Sequence, residues 1–225
     1  MTKNNRIWIY SFVVMGILIM TASSCEKKAD NSGNTTVYES VTIGTQVWMV
    51  KNLNVTKYRN GDAIPNVTDT AQWRSLTTGA YCNYDNATTN ADTYGRLYNW
   101  YAVNDSRNIA PTGWHVASDA EWSILTNYLG GVNLAGSKLK ESGSSHWLVR
   151  NTGTNESGFT ALPGGKRWHG DGTFGGIGMG GYWWTSSQGY IGAQYRDICS
   201  YDSYVRYSLY GEDVKEGFSV RCVKD

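Results

Sequence analysis

The run Arg167-Trp168-His169-Gly170-Asp171 sets a flat aromatic face beside a cation, an imidazole and a carboxylate. Those groups together can stack on a sugar ring and hydrogen-bond its hydroxyls, so Arg167, Trp168, His169 and Asp171 are the leading ligand-binding candidates. The competing role for Trp168 is to fold back and cover the core. Nucleophilic catalysis would need a Ser or Cys beside a base. Only three histidines are present, His115, His146 and His169. Ser144 and Ser145 precede His146, but chain neighbours seldom face each other in attack geometry, and no G-x-S-x-G elbow occurs. No catalytic residue is assigned on this basis.

Two further patterns fail on context. Gly170 to Gly175 satisfies G-x-G-x-x-G, yet "PGGKRWH" precedes it and "GIGMGG" follows. A dinucleotide site needs a hydrophobic strand before the glycines and a helix N-terminus after them. The segment reads as a long, exposed, glycine-rich loop. In "DNATTNADTYG", Asp85, Asn90 and Asp92 could approach a calcium ion, but the spacing and glycine of an EF-hand loop are missing, which favours a solvated loop. No Cys-x-x-Cys or Cys/His cluster has zinc spacing, so neither a metal nor a cofactor is expected.

The start of the chain bears on location. Lys3 and Arg6 precede the apolar run Ile7 to Met20, and "TASSC" follows, the order of a secretory signal. The run falls short of the ~20 residues that span hydrocarbon. Cys25 ends the small residues, which resembles a bacterial lipoprotein signal in which that cysteine becomes the lipidated first residue. Ala22 departs from the usual leucine three positions earlier. Residues 1–24 are thus expected to be a signal peptide and 25–36 a lipidated cysteine with a polar tether. The folded domain is expected over 37–225. Loss of 1–24 removes two cations and no acid, moving the formal net charge from +1 to −1. That balance gives no footing for nucleic acid. Membrane contact is expected through the lipid anchor alone. Cys82, Cys199 and Cys222 are disulfide candidates: either one bond and one thiol with any of three pairings, or three buried thiols.

These side chains must be held by a frame. Val37 to Leu53 alternates like a hairpin with its turn at Gly44-Thr45. Asp69 with Gln72, and Ser118 with Glu121, start two helices by the capping-box pattern. Trp122, Leu125 and Leu129 then share one helical face, and Gly130-Gly131 ends that helix. "GRLYNWYAV" from Gly95 fits either a buried strand or a short helix. From Gly153 short strands follow: "GFTALP", then "GYWWTSSQ", "AQYRDICSY", "YVRYSLY" and "GFSVRCVKD" read as an antiparallel meander. Trp183 and Trp184 point oppositely, which places one in the core and the other near the glycine loop. Helices early and strands late make an α+β domain.

The segments "IGTQVWMVKNLNVTKYRNGDAIPNV", "YGRLYNWYAV", "PTGWHVASDAEW", "NESGFTALPGG", "GYWWTSS" and "GFSVRCVKD" resemble the Fibrobacter succinogenes major paralogous domain, FISUMP, across nearly all of Val41 to Asp225. The resemblance implies a C-type-lectin-like fold, more distantly akin to formylglycine-generating enzymes, and implies architecture more firmly than activity. FISUMP domains commonly carry a cysteine where Ala110 stands, so the partner the resemblance implies for Cys222 is missing. The Glu-Pro-Asn and Trp-Asn-Asp motifs of calcium-dependent sugar binding are absent, and so are the closely spaced cysteines of the oxidase. The expectation is a non-catalytic module, lipid-anchored in the cell envelope at the outer membrane. It would recognise carbohydrate or another envelope component. The alternatives are an enzyme of the formylglycine-generating type and a passive surface lipoprotein.

Overall fold

The computed structural model describes residues 37–148 and 150–225. The expected signal peptide, Cys25 and the tether lie outside the described residues. In chain order the first half holds β1 (Ser40–Ile43), β2 (Gln46–Met49), α1 (Thr70–Arg74), β3 (Tyr81–Cys82), α2 (Thr88–Tyr94), β4 (Leu97–Tyr98), α3 (Trp100–Val103), β5 (Trp114–Val116), α4 (Asp119–Tyr128) and α5 (Val132–Leu139). The second half is all strand: β6 (Gly164–Arg167), β7 (Phe174–Ile177), β8 (Gly180–Gln188), β9 (Ala193–Cys199), β10 (Val205–Tyr207), β11 (Ser219–Val220) and β12 (Cys222–Lys224). Helices crowd the first half and strands the second, an α+β arrangement.

One sheet has the order β1-β2-β12-β5, so the last strand lies between the first hairpin and β5. The larger sheet runs β10-β9-β8-β6-β7, with β11 beside β8, and β3 pairs with β4. The late strands are therefore not one meander. β8, β9 and β10 are antiparallel neighbours, but β11 runs parallel to β8 and β12 belongs to the other sheet. Arg221 stands between those two strands, and its buried side chain bonds the end of β2, the segment after it and Phe159. "GFTALP" supplies one bridge, Ala161 with Lys140, and no strand.

The two expected helices are present, and three more accompany them. Asp69 accepts from the Gln72 amide, and Ser118 and Glu121 form the reciprocal capping box, a device stabilising a helix by about 1 kcal/mol. The segment from Gly95 is both alternatives at once: β4 pairs with β3, and then Asn99 caps α3 by accepting from the Ala102 amide. Gly130 and Gly131, at φ 103° and 94°, end α4, but α5 starts at once from Gly131. A pair of glycines thus reads as a stop while serving as a tight corner.

Aromatic packing fills the interior. Trp48, Trp122, Phe159 and Trp183 form a knot with ring centroids 5.1 to 6.5 Å apart. Such pairs add about 0.5–1.5 kcal/mol each beyond area burial. Trp183 and Trp184 point to opposite faces, and both are buried, contrary to the expectation that one would lie near the glycine loop. Each face of β8 is covered: Trp183 by α4 residues and Phe159, Trp184 by Phe218 at 4.3 Å.

Cys82, Cys199 and Cys222 are free. Cys82 packs with Trp73 and Leu97, whereas Cys222 packs with Val116 and Phe218 in a different cluster. Of the two alternatives for the cysteines, the structure has the thiols, with Cys82 and Cys222 buried and Cys199 partly exposed; cross-links of another kind occur. Arg221 donates to the carbonyls of Met49, Val50 and Phe159 and to Asn52 Oδ1. Lys140 donates to the carbonyls of Cys199, Ser200 and Asp202 and to Thr152 Oγ1. Arg59 reaches the carbonyls of Ala110, Pro111 and Trp114 beside the place where the resemblance implied a cysteine. These cations bond neutral carbonyls that buried backbone would otherwise leave unsatisfied.

Candidate functional site

The stretch from Gly164 to Ile177 is an ordered hairpin rather than a long loop, with Lys166 opposite Gly175 and Arg167 opposite Phe174. Its turn is closed by Trp168 N donating to Thr173 O at 2.8 Å and Gly172 N to Trp168 O at 3.0 Å. Gly172 has φ 70°, and a Cβ there would stand 2.6 Å from Thr70 Cγ2, so the turn requires glycine for both conformation and space.

The four candidate residues separate accordingly. Arg167 is fully buried, which removes it from ligand contact. Its guanidinium donates to Val67 O, Thr68 O and Gly172 O and lies over the rings of Trp73 and Phe174. It sits on the inward face of β6, and the buried carbonyls beside it are what it satisfies. Asp171 is exposed and serves the turn, accepting from Thr173 N and Oγ1. His169 places Nδ1 2.6 Å from Glu216 Oε1. Trp168 is 43% exposed, while the other eight tryptophans of the described residues are buried.

Trp168 continues into a half-exposed shelf that sequence reading did not assemble. On β8 and β9, Tyr182 pairs with Asp197 and Trp184 with Tyr195, so these side chains share one face. Lys166 on the neighbouring strand holds its ammonium 3.4 Å from the Trp168 ring centroid and 4.9 Å from that of Tyr182. Phe218 lies beneath, 5.6 Å from Tyr182 and 5.2 Å from Tyr195. The strand alternation of "GYWW" and "AQYRD" carried the signal for Tyr182, Tyr195 and Asp197. Glu212 and Glu216 come from the segment before β11 and left no periodic trace.

The shelf is electrostatically tense. Burial raises the pKa of Glu216, against hydrogen bonds from His169 and the charge of Lys166. Its side chain is 1% exposed, and Oε2 has no hydrogen-bond partner. Burial also raises the Asp197 pKa, although Arg206 stands 3.6 Å away. The Lys166 pKa falls through burial, despite Glu216, Glu212 and Asp197 nearby. Burial pushes the Tyr182 phenol up to about 12. The surface is a row of aromatic faces rimmed by polar side chains, suited to stacking and hydrogen bonding.

Each histidine meets a carboxylate, and each does so at a partly exposed position. His115 lies between Glu121 at 2.6 Å and Asp225 at 2.8 Å, and His146 lies 2.9 Å from Glu141. Burial pushes the Cys82 and Cys222 thiols up to about 12, so neither holds a useful thiolate near neutral pH. Asp85 lies in a one-turn 3₁₀ segment (Tyr84–Asn86), and the Asn90 amide donates to Tyr84 O. No group of three His, Cys, Asp or Glu among the described residues is arranged to hold a metal ion.

In comparison with known proteins, residues 41–224 match the family model of the Fibrobacter succinogenes major domain. No curated protein and no solved structure matches. The match spans both sheets and all five described helices, and on it the chain belongs to the Fibrobacter succinogenes major domain family.

Proposed function

We propose that the chain is an exported, lipid-anchored binding module that recognises carbohydrate through the Trp168 shelf and performs no covalent step. The observation that carries this reading is the exposure of Trp168 in a protein that buries its other described tryptophans. Large exposed aromatics beside polar groups mark recognition surfaces. Tyr182 and Tyr195 extend the stacking face, and Glu212 supplies an acceptor for hydroxyls. A C-type-lectin-like architecture belongs to the same proposal; the pairing of β12 with the first hairpin supports it by bringing the first and last strands of the described residues into one sheet. Anchoring through Cys25 would hold the domain at the outer membrane, with the tether giving it reach.

The test is a glycan array probed with the chain from Val37 and with its Trp168→Ala variant. Retention of specific glycans by the first and their loss in the second is expected. Binding that survives Trp168→Ala removes this site. Enzymatic action is favoured by one geometric feature, the His169–Glu216 contact beside Lys166. It predicts turnover of the bound glycan that Glu216→Gln abolishes, whereas the binding reading predicts an unchanged glycan.

A further inference from the structure

A second cleft lies away from the Trp168 shelf, with a volume of about 310 Å³, and shares none of its residues. Its walls come from Thr77-Thr78-Gly79 on one side and from Trp100 to Arg107 on the other. Asn99 fixes the spacing of those walls. Its Oδ1 accepts from Ala80 N at 2.9 Å and caps α3 through Ala102 N at 3.1 Å, while its Nδ2 donates to Thr78 O at 2.8 Å. One buried amide thus bonds both sides, which gives a preformed site rather than a gap between loops.

Gly79 lets the first wall pack tightly on the α3 segment behind it. A Cβ there would stand 2.1 Å from the Tyr58 hydroxyl and 2.9 Å from Ala102 Cα. Tyr58 is buried, and its hydroxyl, held against Gly79, has no hydrogen bond of normal geometry, although Asp105 and Arg107 are near enough to act on it by charge. The back wall is the Trp100 ring, whose indole N–H is already spent on Thr185 O at 3.0 Å.

The charges at the rim are satisfied within the fold. Arg107 donates to Asp105 through Nε at 2.9 Å and a terminal nitrogen at 2.8 Å, and reaches Asp62 at 3.2 Å with the other. That pairing holds the Asp105 carboxyl down to about 2. Apart from this paired Asp105–Arg107 rim, the polar groups that face an occupant are neutral: the hydroxyls of Thr77, Thr78 and Ser106 and the amide of Asn104, all on exposed residues. An aromatic wall with neutral donors and acceptors, in a volume near the lower limit of ~300 Å³ for ligand pockets, fits one small polyhydroxylated unit.

We propose that the Thr77–Arg107 cleft binds a single uncharged sugar unit, independently of the Trp168 shelf. Ligand-observed saturation-transfer NMR on the full chain in detergent tests this, with glucose, galactose, mannose and N-acetylglucosamine as probes and glucuronate as the anionic control. Transfer to at least one neutral sugar is expected. It should fall to background in Asn104→Leu combined with Thr78→Val, both exposed positions, and persist in Trp168→Ala. Thermal melts of the three proteins establish that each is folded. No transfer to any neutral probe overturns the inference, and so does preferential transfer to glucuronate. Transfer lost in Trp168→Ala but kept in the cleft variant also overturns it while leaving the shelf reading intact. Loss in both variants refutes the independence of the two sites.

Discussion

Replacing Arg221 by Met probes how this domain is cross-linked without a disulfide. The guanidinium is buried and bonds Met49 O at 2.8 Å, Val50 O at 2.6 Å, Phe159 O at 2.8 Å and Asn52 Oδ1 at 3.0 Å. Asn52 in turn accepts from Trp183 Nε1 and donates to Tyr94 O, so the loss spreads into β8 and α2. Each buried acceptor left without a donor costs about 1–3 kcal/mol. Three carbonyls losing this donor would cost about 3–9 kcal/mol, and relief of the cation's desolvation offsets part of that. A buried ion pair can be replaced as a whole by apolar side chains, but three of these four partners are backbone carbonyls that no substitution removes. The expected net loss is about 3 kcal/mol, a large share of the ~5–15 kcal/mol that a domain possesses. Urea unfolding followed by tryptophan fluorescence should show a lower midpoint with an unchanged slope. The melting temperature should fall by about 6–12 °C for a domain of this size. Arg221→Lys keeps the charge but loses the Nε donor to Asn52 and should fall between the two. An Arg221→Met protein within about 0.5 kcal/mol of wild type would refute the reasoning, since surface-like substitutions already span that range.

Two other outcomes are expected. A Cβ at Gly192 would stand 1.9 Å from Glu212 O, so Gly192→Ala should cost about 1–3 kcal/mol by forcing the β8–β9 turn away from the 212 segment, and an unchanged urea midpoint would contradict this. Lys140 is buried, and desolvation lowers its pKa from 10.5 to about 8, with Asp202 and Cys199 opposing. Between those values the unfolded chain binds the extra proton, so this residue's contribution to stability should rise with pH from about 8 to about 10.5. The wild-type minus Lys140→Met difference, followed by urea unfolding across that window, should show the rise; a flat difference would contradict it.

Some elements were legible because their determinants are local. The Ser118–Glu121 capping box and the Trp122-Leu125-Leu129 face specify α4 within a dozen residues, and the Gly44 turn specifies the first hairpin. The candidate site was half legible. Trp168 is exposed as the ligand reading required, and His169 lies beside it. Arg167 differs because burial is decided by Val67, Thr68 and Gly172, two of which lie about a hundred residues away. The shelf and the cleft depend on β6, β8 and β9 meeting side by side, and on Asn99 bonding Thr78.

The sequence by itself determined the caps, the turns, the α+β division and the family pattern, since each depends on residues within one or two turns of chain. Only the tertiary structure decided which polar side chains are staples and which are free to meet a ligand. A guanidinium or carboxylate has the same chemistry in either place; what changes is whether distant backbone carbonyls and aromatic rings surround it, and that is set by strands such as β11 and β12 crossing between sheets.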